Sequence, residues 1–321
     1  MAVDRREAAL PVAAPPISTE PAAGAAIRQS SLWQDAWRRY IRNKGAVAAG
    51  LIFISICLYC LLIPGFWKIP GIWTSLKDYD PNAVDFSQSY AGFSLDHPFS
   101  TDKFGRDLFA RVAIGGQISI AIGFAATFMI LVIGVFYGSI SGFVGGWVDN
   151  AMMRFLDALY GLPYLPFAII TLAIFGTVNF WTMVVALTVV SWFTTARVMR
   201  GQIITLKEND YVRAAHAIGA RWHRILFRHL IPNTLGVAVV FVFLELPGVV
   251  LGEAFLSFLG LGINPPNASW GSLAEDGNEQ YLSHPLLIVI PSVAIAWLIL
   301  TAFFIADGLR DALDPRTQGA A

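Results

Sequence analysis

Between Asp157 and Arg197 the chain runs for 39 residues without a charged side chain. A helix that faces water on one side cannot do this, because the exposed stripe needs polar groups. A membrane-spanning helix requires only about 17–25 apolar residues, so the stretch is long enough for two. Gly176-Thr177-Val178-Asn179 interrupts it, and the pattern predicts two short helices joined by a tight turn. Four more apolar runs, at 46–66, about 118–144, 234–259 and 285–306, raise the expected number of spans to six. With 56% apolar and 14% charged residues, and a mean hydropathy of +0.60, lipid is the main solvent of this all-α chain.

The segments between the spans are polar. Residues 1–30 are rich in Ala, Pro and Ser without periodicity, which predicts a disordered tail. Residues 31–45 place Trp33, Ala36, Trp37, Tyr40 and Ile41 on one helical face, with Arg38, Arg39, Arg42 and Lys44 around the rest. Ser31 and Gln34 have the spacing of a capping box, so an interfacial helix is expected. Residues 67–117 read as a long loop, and 311–321 as a short tail. With the first residue inside, 17 of the 22 basic residues fall on one side, which predicts that both termini are cytoplasmic. Net charge is zero, so no attraction to nucleic acid is implied.

Several chemistries lack their signature. Cys57 and Cys60 form C-x-x-C inside an apolar run, where both read as small hydrophobes. His216, His223 and His229 lack metal-ligand spacing, and no G-x-x-x-x-G-K-[ST] phosphate loop occurs. No Ser–His–Asp set shares a plausible pocket. Neither a cofactor nor catalytic residues are expected, and any energy source must sit on another polypeptide.

Residues 207–232 are the most informative stretch. Asn209 or Asp210 can cap a helix over Tyr211–Ile218, which Gly219 would end in the left-handed conformation. A second helix would place Trp222, Ile225, Leu226 and Leu230 on one face, Arg221, Arg224 and Arg228 around them, and stop at Pro232. Ala214, Ala215 and Ala217 keep the first helix thin, as suits an element that docks into a partner's groove.

Ala214-Ala215, Gly219 and Leu230-Ile231-Pro232-Asn233 resemble the Glu-Ala-Ala loop of bacterial ABC importer permeases, with Arg213 where that family has Glu. His97-Pro98-Phe99-Ser100-Thr101-Asp102 followed by Gly105-Arg106-Asp107 is similar to a segment of dipeptide and oligopeptide permeases of the DppC/OppC type, Ser100 replacing the usual Gly. Leu256-Ser257-Phe258-Leu259-Gly260-Leu261-Gly262, Pro265-Pro266, Trp270-Gly271 and Asp307-Gly308-Leu309-Arg310-Asp311 fit the same family. The motifs extend over about residues 31–315.

The resemblance implies an importer-permease core over residues 118–310 in a bacterial inner membrane. It implies a second homologous permease subunit, two cytoplasmic ABC ATPase subunits and an extracytoplasmic peptide-binding protein as partners. Asp210, Ala214, Ala215, Gly219, Arg221 and Pro232 would then couple to an ATPase, with Glu208 and Asp210 as substitutes for the missing Glu. Thr101, Asp102, Gly105, Arg106 and Asp107 would shape the outer entrance. Di- or oligopeptides are the expected cargo; nickel chelates, glutathione or sugars are alternatives within the family. An ion-coupled secondary transporter would need ionisable residues in several spans or paired broken helices, and only the fifth span meets that condition.

Glu245 and Glu253 are the acidic residues well inside a span. Carboxylates in lipid are costly and usually functional, so both are candidates for the translocation path: Glu245 would meet a cationic group such as a peptide amine, with a hydrogen bond to a neighbouring helix or the partner subunit as its structural alternative, and Glu253 has a structural or gating alternative. Pro247-Gly248 between them is expected to kink the helix. Gly134, Gly138, Gly142 and Gly146 recur at every fourth residue, the spacing of close helix packing, at a dimer interface for example. Arg154 and Asp157 have the i, i+3 spacing of a structural ion pair.

Overall fold

The structure, a computed structural model, describes residues 32–66, 82–95 and 97–313. The expected disordered tail 1–30, Ser31 and the side chain of Trp33 at the proposed cap, 67–81 of the long loop and the end of the C-terminal tail lie outside the described residues.

Among the described residues five helices are long and apolar enough to cross a membrane, and a sixth candidate is broken in two. Helix α1 (Leu32–Arg42) is amphipathic and stops at Asn43, whose side chain caps α2 (Lys44–Phe66) by accepting the Ala46 N–H at 3.2 Å. Ala36 of α1 is buried, while Trp37 and Ile41 face outward, as an interfacial helix requires. Helix α3 (Leu108–Val144) begins ten residues before the expected second span, because Asp107 caps it by accepting the Phe109 N–H at 3.0 Å.

The third span differs most from expectation. Gly161 and Pro163 split it into α4 (Gly146–Tyr160) and α5 (Tyr164–Phe175), with a 91° bend between them. At 12 residues α5 is only ~18 Å long, well short of a ~30 Å hydrocarbon core. The turn at 176–179 is where the pattern placed it. Gly176 is left-handed, and Asn179 caps α6 (Phe180–Leu206) in a reciprocal capping box with Thr182.

Helix α6 runs through Arg197 and Arg200 instead of ending there. Charged side chains can remain in a helix that approaches lipid when they are paired. Arg197 meets Asp157 at 2.5 Å, and Arg200 grips Asp149 through two hydrogen bonds of 2.5 Å. Asp157 therefore pairs across to α6, and the expected partnership with Arg154 in its own helix is not what forms.

The loop after α6 carries α7 (Asp210–Ala217) and α8 (Trp222–Ile225). Pro232 does not stop the second helix. Leu226–Leu230 widen into a π turn, in which the Ile231 N–H reaches back to the Leu226 carbonyl. Pro232, having no N–H to offer, then sits in the first turn of α9 (Ile231–Leu256), where it is tolerated. One helical path thus leads from Trp222 to Leu259, and Gly260 leaves it at φ +78°. Helix α9 also continues past Pro247 without ending there. A short α10 (Trp270–Asn278) and the last span, α11 (Leu286–Leu313), complete the fold.

Helices α3 and α6 share the largest interface. Gly134, Gly138 and Gly142 lie along it: a methyl group on Gly134 would come within 2.7 Å of Thr195, and one on Gly142 within 2.7 Å of the Arg200 carbonyl. Three glycines of the expected stripe thus serve a seam inside this chain, and Gly146, at φ +58° with nothing near its missing Cβ, lies off it.

Candidate functional site

Helix α7 ends in a Schellman motif. The Gly219 N–H donates to the His216 carbonyl and the Ala220 N–H to the Ala215 carbonyl, both at 3.0 Å, with Gly219 at φ +78°. The loop is stiff because it has a small core of its own: Val212, Ile225, Leu226 and Leu230 are buried against Ile203 of α6, flanked by Ala215 and Ala220. Asp210, Ala214, Gly219, Arg221 and Pro232 stay exposed, and Ala215 is half-buried. Trp222 departs from the expected face and lies 52% exposed, and Ile218 at the tip is 85% exposed. Arg213 pairs with Glu208 at 3.5 Å on the open surface, a contact worth little in water.

At the opposite end of the helices, the segment before α3 is a knot. The Asp102 carboxylate accepts from the Phe104 and Arg106 N–H groups at 2.8 and 3.0 Å, from Arg106 Nε at 2.6 Å and from Arg111 Nη1 at 3.3 Å. The Thr101 hydroxyl donates to the Gln88 carbonyl at 2.5 Å and accepts the Ala91 N–H at 2.7 Å. Lys103 reaches Glu279 at 2.7 Å beyond α10, which holds the lysine pKa above its ordinary value and the glutamate pKa below its own. Thr101, Asp102, Gly105, Arg106 and Asp107 are thus brought together, and their side-chain contacts are with one another and with the segments around them. Ser100, where the resembling family has Gly, adopts φ +71° and donates its hydroxyl to the Ala91 carbonyl at 2.7 Å.

Gly105 has stricter demands. Its φ is +72°, and a Cβ there would collide with the Asp85 carbonyl group, whose carbon lies 2.7 Å away. Gly105→Ala is expected to lower stability by about 3 kcal/mol, whereas Ser100→Gly changes it by less than about 1 kcal/mol. Thermal denaturation of the purified protein, with limited proteolysis of the loop, would check the contrast.

The two intramembrane carboxylates have different surroundings. Glu253 is fully buried and accepts from Ser119 at 2.9 Å and Ser257 at 2.7 Å. Ser119 in turn accepts the Trp270 N–H at 3.1 Å, so Glu253 ties α3, α9 and α10 together. Glu245, two turns earlier, is half-buried; Thr195 donates to it at 3.4 Å, and it lines a cavity of about 290 Å³ between α4, α5 and α6.

Sequence reasoning missed the ties between α4 and α6. Asp149 also accepts from Ser141, at 2.5 Å, and Lys207 donates to the Gly142 carbonyl at 3.1 Å. At the other end of α4 the Arg197 guanidinium stacks over the Tyr160 ring, 4.6 Å from its centroid. A usable signal existed: two acids and two arginines on neighbouring segments, each pair spaced to share a helix face.

Comparison with known proteins agrees with this architecture. The family described as binding-protein-dependent transport system inner membrane component matches residues 130–319, and the N-terminal TM domain of oligopeptide transport permease C matches residues 31–92. The oligopeptide transport system permease protein OppC of Haemophilus influenzae is 42% identical over 90% of each chain. The dipeptide transport system permease protein DppC of Bacillus subtilis is 39% identical over 90% of this chain and 87% of its own. The fold is shared with an inward-facing structure of the MetNI methionine ABC transporter, at TM-score 0.51 and 20% identity, covering 64% of this chain and 96% of the other. This chain belongs to the binding-protein-dependent transport system inner membrane component family and is a multi-pass permease subunit of that class.

Proposed function

We propose that this chain is one of two pore-forming subunits of an ATP-driven importer of di- or oligopeptides and hydrolyses nothing itself. Its similarity to peptide-transport permeases along nine-tenths of the chain carries the reading. Two ABC ATPases in the cytoplasm, a second permease and an extracytoplasmic peptide-binding protein complete the machine.

In this reading the exposed strip on α7 and at its turn, with Ala214, Ile218, Gly219 and Arg221, seats in a groove of an ATPase. Small residues let the helix sit deep, and the apolar tip of Ile218 supplies buried area. ATP-driven closure of the ATPases then pushes on a loop that is continuous with α9 and rigidly held to α6. Those spans bias the chain between outward- and inward-open states. Both termini lie in the cytoplasm, and the distribution of Lys and Arg supports this, since 17 of the 22 fall in segments on that side. The knot around Asp102 frames the outer entrance, and Glu245 with its cavity lies on the translocation path. Glu253, enclosed by serines, holds the helices that line it.

Extraction of tagged chain in mild detergent, followed by mass spectrometry, is expected to recover a homologous permease and Walker-motif ATPases. Peptide-loaded binding protein should then stimulate ATP hydrolysis by the recovered complex. Recovery of the folded chain alone, with ATPases expressed, would overturn the reading.

A further inference from the structure

The cavity at Glu245 is chemically one-sided. Three things meet there: a carboxylate, the aromatic rings of Tyr160, Tyr164, Phe167 and Phe193, and the hydroxyl of Ser191. Gly252 on α9 makes the room, since a methyl group there would clash with the Tyr164 hydroxyl. The carboxylate has one long hydrogen bond, from Thr195 at 3.4 Å, where a carboxylate can accept several. A carboxylate in an aromatic-walled cavity is the complement of a compact organic cation, the charge supplying the attraction and the rings an apolar wall for its carbons.

The chain already places a cation on this wall. The Arg197 guanidinium lies over the Tyr160 ring at the rim, held there by Asp157. Tyr160 is fixed on its other edge by a 3.0 Å hydrogen bond between its hydroxyl and Thr194. Asp157 and Thr194 thus fix the Arg197 guanidinium and the Tyr160 ring at the edge of the cavity.

From this geometry we propose that the Glu245 cavity is a subsite for an alkylammonium group of the cargo. The inference rests on the peptide-importer reading and assigns a substrate chemistry to this site. Its volume of about 290 Å³ takes an amine with a few carbons, not a whole oligopeptide. Two sources supply that group: the amino terminus that every unmodified peptide carries, and a lysine side chain. The ammonium docks on Glu245 against the rings while the chain is in transit, and the rest of the peptide trails outside the subsite.

The test uses the full transporter with its binding protein in proteoliposomes. ATP-dependent uptake is measured for equal-length peptides bearing only Ala, or a central Lys or Asp, with wild type, Glu245→Gln and Glu245→Asp. Because the binding protein is the same throughout, the ratio of variant to wild type isolates the permease step. Glu245→Gln is expected to lose about tenfold in uptake, with Glu245→Asp restoring most of it and stimulated ATP hydrolysis kept within about twofold. A loss shared by all three peptides assigns the subsite to the amino terminus; a loss confined to the Lys peptide assigns it to the side chain. Unchanged uptake by Glu245→Gln, or an equal loss in Gln and Asp variants, overturns the proposal. Failure of the wild-type complex to import any peptide would instead overturn the importer reading.

Discussion

Asp149→Ala is expected to destabilise the folded subunit by about 2–3 kcal/mol, whereas Asp157→Ala costs less than about 1 kcal/mol. Both acids sit on α4 and both bind an arginine of α6, so a count of ion pairs would rank them alike. Their surroundings differ. The Asp149 side chain is 11% exposed, meets the guanidinium in a fork and also accepts from Ser141. Its removal leaves Arg200 and Ser141 without their acceptor, and the charge left behind accounts for most of the loss. The Asp157 side chain is 66% exposed, and water replaces it readily. Thermal inactivation of the purified complex in detergent would rank the two variants. An Asp149→Ala, Arg200→Ala double variant should lose less than the two single changes together. Equal, small shifts for Asp149→Ala and Asp157→Ala would sink the argument.

The same residues bear on transport. Helix α7 hangs from α6 by the few residues after Leu206, and Arg200 lies less than two turns above that junction. Through Asp149 and Asp157, α6 holds both ends of α4, and Lys207 holds the end of α3. A push on α7 therefore moves α4 with α6, and α4 leads directly into the bend that walls the Glu245 cavity. Under the importer reading, Asp149→Ala should keep ATP hydrolysis while lowering peptide uptake per ATP.

How much of this was legible beforehand follows from what each feature depends on. Five of the six expected spans and the turn before α6 were readable, because bilayer thickness sets a length and because Gly176 and Asn179 act locally. The α7–Gly219 turn was readable for the same reason. The break of the third span was not: an apolar run long enough to cross a membrane conceals a Pro163 that starts a second helix. The uncharged run stops at Arg197 and so sets the expected end of the span, because unpaired charge ends a span, and pairing is a tertiary fact. Pro232 was read as a stop because the π turn that accommodates it spreads over five preceding residues. Glu245 and Glu253 lie eight residues apart on one helix, and the sequence offers each of them both a path role and a structural one. Only the neighbours, two serines for one and a ring-lined cavity for the other, separate a structural carboxylate from an available one.

Gly138→Ala is expected to cost about 3 kcal/mol, with a matching fall in folded yield. The added Cβ would run into the Ala196 carbonyl oxygen, and it would also lie 2.9 Å from the Arg200 nitrogen and 3.0 Å from the Ala196 carbonyl carbon. All three are backbone atoms inside a helix, so no side-chain rotation relieves the clash and α3 must move away from α6. Gly201→Ala is the control. Gly201 lies on α6 with nothing near its missing Cβ, and there alanine should be neutral or raise helix stability by about 0.5–1 kcal/mol. Folded yield after size-exclusion chromatography and thermal denaturation would separate the two, and equal behaviour would mean that the seam tolerates separation. The prediction extends to the charge knot, because the close approach at Gly138 brings Ser141 of α3 and Arg200 of α6 to the same Asp149. Once Gly138→Ala has spread the helices, removing Asp149 should cost less than it does in the wild type.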